Sequence, residues 1–185
     1  MGVSRATSQP AVQPDARTSL SALLEFAVIQ GVSLDATVPD VGLPELVRRC
    51  AAAFESRVAV ALRLPAPGEL AVIAAYPSAA VDPVLMAQVS GLVVAHAAVA
   101  SAGGCIQGRV AWPGPPGSGR NQGRALIAVA RLPGGSAPCA LLLVGQQARW
   151  ADESQATARA LATVIAARIR RVEAVSYTHL TLPTI

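Results

Sequence analysis

Lysine is absent from this sequence of 185 residues, in which all 15 basic residues are arginines. Aromatic residues are also scarce, at 3% of the chain, so a folded core has to be built mainly from Ala, Val and Leu. The hydrophobic fraction of 52% and the charged fraction of 14% are typical of a core-rich folded domain rather than a disordered chain. The net charge of +4 does not indicate nucleic-acid binding, because the arginines are dispersed and no aromatic residues accompany them.

Cysteines are few, and the sequence lacks recognisable secretion and membrane segments. Cys50, Cys105 and Cys139 form no Cys-x-x-Cys pair, so we expect free thiols in a reducing compartment. Residues 1–18 lack the apolar stretch of a signal peptide, and no apolar run reaches the roughly 20 residues that cross a bilayer. These absences favour a cytoplasmic protein that does not bind a membrane.

Sequence motifs of common catalytic sites are missing as well. The chain has no P-loop, no Gly-x-Gly-x-x-Gly after a strand and no His-Glu-x-x-His. His96 is the only histidine before the last eleven residues, so a serine nucleophile lacks its usual partners. The sequence therefore predicts neither an enzyme nor a metal site.

Hydrophobic periodicity and turn residues divide the chain into helices and strands. We predict a disordered segment over residues 1–18 and strands over 57–64, 69–76, 105–112, 124–132 and 139–145. Helices are predicted over 19–31, 83–100 and 152–173, and a further helix opens at Asp40 or at the Gly-Leu-Pro of residues 42–44 and extends to Phe54. Residues 113–123 (PGPPGSGRNQG) are predicted to form a mobile loop. Because short turns join strands into hairpins, the sheet is expected to be antiparallel and the fold class α+β.

The last eleven residues differ in composition from the rest. Residues 175–185 (VSYTHLTLPTI) carry no charge and resemble the translation of an adaptor used to prepare sequencing libraries. We expect them to be non-native, with the natural chain continuing beyond Ala174 into an output domain, and we take residues 19–174 as the folded domain. A short native tail is the alternative.

Two stretches near the end of the folded domain resemble the closing part of a GAF domain. RALIAVARLPGGSAPCALLLVG (residues 124–145) is similar to the last strand hairpin of that family. ARWADESQATARALATVIAARI (residues 148–169) is similar to its closing helix, with Trp150 where a Phe is usual. Two positions depart from the pattern, since Ala130 and Ala140 stand where Pro and Gly are frequent.

The resemblance extends over residues 19–173 and implies a specific architecture. It implies an antiparallel sheet of five to six strands, with the N- and C-terminal helices on one face and the long inserted helix on the other. The related PAS fold is the structural alternative. In function, the resemblance implies a sensory or regulatory input domain of a bacterial signalling protein, which binds a small ligand or relays a dimer rearrangement.

Tyr76, His96 and Trp112 are the candidate ligand-binding residues. Tyr76 and Trp112 each end a strand, where they are candidates to line the mouth of a cavity, and packing at the edge of the core is the alternative. His96 shares a heptad-spaced stripe with Leu85, Val89, Leu92 and Val99 on the third helix, the helix that borders the ligand cavity in GAF domains. It is a candidate haem ligand or hydrogen-bond partner, and a histidine at the core edge is the alternative. Cyclic GMP is disfavoured, because the motif that accompanies its binding requires a lysine.

The closing helix is a candidate dimer helix. Leu161, Ile165 and Val172 fall at heptad positions, and we predict a parallel homodimer through the first and last helices. The alternative function is a ligand-free dimerisation scaffold of a transcription regulator. A cavity of about 300 Å³ beneath the third helix favours the sensor, whereas a space filled by Leu85, Val89 and Leu92 favours the scaffold.

Overall fold

A computed structural model describes residues 42–114, 117–133 and 137–180 of the chain, and side chains as far as Arg171. The predicted first helix and the segment 1–18 therefore lie outside the described residues. The helices are α1 (Gly42–Ala53), α2 (Pro83–Ala95), α3 (Ala97–Ser101) and α4 (Asp152–Leu180). The strands are β1 (Val58–Arg63), β2 (Ala71–Tyr76), β3 (Cys105–Pro113), β4 (Arg120–Ala130) and β5 (Cys139–Gly145).

The five strands form one sheet in the order β2-β1-β5-β4-β3, and every neighbouring pair is antiparallel. The first strand of the domain therefore lies beside the last, with Val60 opposite Leu142. All seven residues of β5 are buried, because neighbouring strands flank it and helices cover both of its faces. The predicted antiparallel α+β fold is confirmed.

Alternate residues of each strand supply two separate cores, as the two-residue period of a strand requires. On one face Ala59 and Ala61 of β1 pack with the buried residues of α1 and α4. On the other face Val58, Val60 and Leu62 pack with α2. The predicted distribution of the described helices over the two faces is thus confirmed.

Three predicted boundaries are wrong. β4 begins at Arg120, inside the predicted loop, because it pairs with β3 as far as Pro113. The predicted helix 83–100 is interrupted at His96, whose φ of −116° and ψ of 35° are not helical. The last helix runs to Leu180, seven residues beyond the predicted end at residue 173.

Candidate functional site

A cavity of about 310 Å³ lies at the C-terminal end of α2. Three segments converge on it: the β1–β2 turn at residues 64–68, the end of α2 with α3, and the β4–β5 turn through Arg131 and Pro138. Its volume is at the lower end of the roughly 300–1,000 Å³ that ligand sites occupy. The cavity is therefore large enough for a small molecule.

Backbone geometry brings the β1–β2 turn against α2. Gly68 has a φ of +83°, a conformation that residues with a side chain rarely adopt. The hydroxyl of Ser90 on α2 donates a hydrogen bond of 2.6 Å to the carbonyl oxygen of Gly68. The amide of Leu64 donates to the carbonyl oxygen of Pro138, at 2.8 Å, and thereby joins this turn to the β4–β5 turn.

The N-terminal end of α2 is anchored to the sheet. Asp82 caps the helix, because its Oδ1 accepts a hydrogen bond of 2.8 Å from the amide of Leu85. The guanidinium of Arg120 pairs with the same carboxylate through two hydrogen bonds, and it also donates to the carbonyl oxygen of Ala111 on β3. The pairing with Arg120, aided by the Leu85 amide, lowers the pKa of Asp82 from its ordinary value. This clamp holds one end of α2 while the other end borders the cavity.

The space beneath the middle of α2 is filled. Leu85 and Val89 are fully buried on the sheet, and Val93 is 7% exposed. Leu92 packs directly over Gly108 of β3, in space that a Cβ at Gly108 would occupy. The cavity therefore begins only at Val93, where the helix leaves this core.

The described lining of the cavity is mostly apolar. Val93, Val94, Ala97, Ala100 and three prolines contribute to it, and Val94 is 54% exposed. Arg131 is the single charged residue of the described lining. Its Nη1 donates a hydrogen bond of 3.0 Å to the carbonyl oxygen of Ser101 at the end of α3. The arrangement can hold an apolar group beside one positive charge.

A second depression, more open and more polar, lies where α1 ends beside β2. Its volume is about 740 Å³, and its lining includes Arg48, Glu55, Arg57, Tyr76 and Gln147. Arg48 is already paired with Glu45 on α1, at 2.7 Å. Tyr76 is 43% exposed here. A shallow polar surface of this kind excludes water from a bound molecule less completely than the cavity at α2.

The three predicted ligand residues lie in different environments. Tyr76 lines the polar depression, whereas Trp112 is 4% exposed and packs in the core beneath α2. His96 is exposed at the break between α2 and α3, with its Nδ1 3.0 Å from the carbonyl oxygen of Leu92. His96 does not continue the side of the helix that packs on the sheet, because Val93 occupies that position. The ligand-binding roles of the three residues stay predictions.

Two of the predicted dimer residues face the sheet. Leu161 and Ile165 are fully buried between α4 and the strands, so their assignment to a partner's helix is wrong. The side chain of Val172 lies outside the described part of the chain. Ala160 and Ala167 are exposed on the outer face of α4, where a partner helix would have to pack.

Sequence reasoning missed Arg131, Val94 and the contact between Ser90 and Gly68. The Pro-Ala-Pro-Gly turn at residues 65–68 was the available signal for the cavity wall, but a turn alone does not indicate a ligand.

Within the described ranges, no group of three His, Cys, Asp or Glu side chains is suitably placed for a metal ion. No helix of the described part is both long and apolar enough to cross a membrane.

No family model matches the chain, and no curated protein matches it. Among solved structures, a GAF domain from a protein of Pseudomonas syringae pv. tomato described as a sensor histidine kinase is 16% identical. Its TM-score is 0.50, over 88% of this chain and 95% of its own. The GAF domain of a phosphoenolpyruvate-protein phosphotransferase from Coxiella burnetii is 15% identical, with a TM-score of 0.57 over 89% of this chain and 99% of its own. The fold is therefore that of a GAF domain, as the sequence resemblance predicted.

Proposed function

We propose that this domain is a sensory input module, which binds a small molecule in the cavity at the C-terminal end of α2 and passes its occupancy to α4. The observation that carries the proposal is the 310 Å³ cavity itself, bordered by three segments that hydrogen bonds hold together. A ligand in this position would contact all three segments at once. Binding would therefore favour one relative arrangement of the two turns and the helix.

The β4–β5 turn offers a route from the cavity to α4. Arg131 and Pro138 of this turn line the cavity. The carbonyl oxygen of Pro133, in the same turn, accepts a hydrogen bond of 2.6 Å from Nη1 of Arg170 on α4. A ligand that displaces the turn would thus change a contact of the closing helix. The proposed receiver is an output domain that α4 contacts in a bacterial cytoplasmic signalling protein, and this domain itself performs no catalysis.

Filling the cavity tests the proposal. Val94 is 54% exposed in the cavity wall, so Val94→Trp adds a large side chain there without replacing a core residue. Val84 is 47% exposed on the same helix but does not line the cavity, and Val84→Trp is the matched control.

The measurement is a screen of small molecules against the isotope-labelled chain, followed by amide NMR. We expect the screen to find compounds that shift the amide resonances of Gly68, Val94 and Ala97 in the wild type. The same compounds should shift these resonances in Val84→Trp but not in Val94→Trp. A screen in which the hits bind Val94→Trp equally well would show that the cavity is not the ligand site.

One observation favours the alternative of a ligand-free scaffold. The space beneath the middle of α2 is already filled by Leu85, Val89 and Leu92. In that alternative the domain acts as a homodimer, with the outer face of α4 around Ala160 and Ala167 against its partner. Light scattering of the chain at increasing concentration tests dimerisation, and a constant monomer mass would refute it.

A further inference from the structure

The charge distribution around the cavity at α2 indicates the class of ligand. Twelve described residues line this cavity, and Arg131 is the only one among them that carries a charge. Within the described part of the chain, Arg131 forms no ion pair and makes one side-chain hydrogen bond, to Ser101. Arg131 is exposed, so its charge is open to an anion that enters the cavity, and the apolar walls offer no competing charge.

The guanidinium of Arg131 also has donors left for an additional partner. The hydrogen bond from its Nη1 to the carbonyl oxygen of Ser101 ties the group to the end of α3. This bond uses one of the five N–H donors of the side chain. The remaining donors have the planar arrangement that matches the two oxygens of a carboxylate.

The walls next to Arg131 suit a hydrocarbon group. Val93 and Val94 lie on the helix side, and Pro65 and Pro67 lie on the side of the turn. Val94 is among the most exposed large apolar side chains of the described residues, so a ligand that covers it removes apolar surface from water. None of the described lining residues is acidic, so a cationic ligand would find no counter-ion there.

We infer that the cavity binds a small amphipathic carboxylate, whose hydrocarbon part packs on Val93, Val94 and the prolines and whose carboxylate pairs with Arg131. This inference rests on the proposed function, because it names the ligand class of the same site. It predicts that neither the charge alone nor the hydrocarbon alone is sufficient for full affinity.

Three probes separate these contributions. Hexanoate carries both the chain and the charge, hexanamide has the same chain without the charge, and acetate has the charge without most of the chain. Titrations followed at the amides of Gly68, Val94 and Ala97 give the affinities. We expect hexanoate to bind about threefold more tightly than hexanamide, in line with an ion pair to an exposed guanidinium. Acetate should bind more weakly than hexanoate, and added salt should weaken the binding of both carboxylates but not that of hexanamide.

The variant Arg131→Met removes the charge and keeps a similar apolar stem. Hexanoate should then lose its advantage and bind no better than hexanamide, while Arg131→Lys should restore part of the difference. Arg109→Met is the matched control, because Arg109 is exposed on β3 and does not line the cavity. It should leave all three affinities unchanged.

Two results would overturn the inference. If hexanamide binds the wild type as tightly as hexanoate at the same amides, the cavity is a ligand site but not one for carboxylates, and the proposed function stands without this refinement. If hexanoate shifts no cavity amide at millimolar concentration, the carboxylate assignment is wrong. The small-molecule screen against Val94→Trp then decides separately whether the cavity binds any ligand.

Discussion

Gly123 on β4 leaves no room for a side chain. A Cβ at this residue would lie 2.9 Å from two carbons of the Trp112 ring. It would also collide with the carbonyl oxygen of Gly145 on the neighbouring strand. Backbone atoms of a central strand pair cannot move without disturbing the ladder between β4 and β5. We therefore expect Gly123→Ala to destabilise the domain by about 3 kcal/mol, the upper end of the usual cost of overpacking.

Gly91 provides the control for the same substitution. It is exposed within α2, and a Cβ added there would meet nothing within 4 Å. Alanine is favoured over glycine in the interior of a helix by about 0.5–1 kcal/mol. Gly91→Ala should accordingly stabilise the domain by about that amount.

Urea unfolding of the full chain measures both effects. The two variants should move the midpoint in opposite directions without changing the dependence of the unfolding free energy on urea concentration. A neutral Gly123→Ala would show that Trp112 and the β4–β5 pair can relax at little cost, and the packing described here would then be wrong. A destabilising Gly91→Ala would contradict the exposure of that side of α2.

The remaining predictions concern the anchor of α2 and the thiols. The folded-state pKa of Asp82 lies below its ordinary value, so its charged form contributes stability that is complete above the unfolded-state pKa and is lost as the pH falls through the folded-state pKa. Asp82→Asn should reduce this acid dependence when urea unfolding is measured at several pH values. Asp82→Ala should in addition remove the helix cap, at a cost of about 1 kcal/mol in stability. Identical pH profiles for Asp82→Asn and the wild type would contradict the proposed role of the Asp82 charge. Burial raises the pKa of Cys50 to about 12, so at pH 8 iodoacetamide should label the half-buried Cys105 before Cys50 in native protein, as peptide mass spectrometry can determine. Labelling of Cys50 at the same rate as Cys105 would refute the buried position.

The fold could be predicted because its residue patterns can be recognised in a single sequence. The alternation in residues 57–64 and the apolar run CALLLVG (residues 139–145) each predicted a strand. Both occur as β1 and β5. The Pro and Gly residues between the strands predicted the hairpin turns. The residue pattern of the closing helix resembles that of GAF domains.

The details of the site could not be predicted, because hydrophobic periodicity is compatible with more than one orientation of a helix and more than one start of a strand. α2 is apolar around much of its circumference, so a stripe that continues through Leu92 to His96 was as acceptable as one that continues to Val93. In the structure Val93 is buried and His96 is exposed. The start of β4 was missed because Arg120 to Gly123 is polar and flexible in composition. Its strand conformation depends on pairing with β3, a contact between distant residues.

Arg131 could not be identified from the sequence for a related reason. It is one arginine among 15, next to a Pro-Gly-Gly turn, and nothing local distinguishes it. Its importance arises because the turn brings it to Ser101 and to the end of α2, which lie 30 or more residues earlier in the chain.

Hydrogen exchange of the full chain, with and without a saturating cavity ligand from the screen, tests the central claim most directly. We expect altered protection at two places: at the cavity, around Val94, and on α4 next to Arg170, whose contact with Pro133 links the helix to the cavity turn. In Arg170→Met the change at the cavity should persist while the change on α4 disappears. Altered protection that stays confined to the cavity in the wild type would contradict the proposed relay.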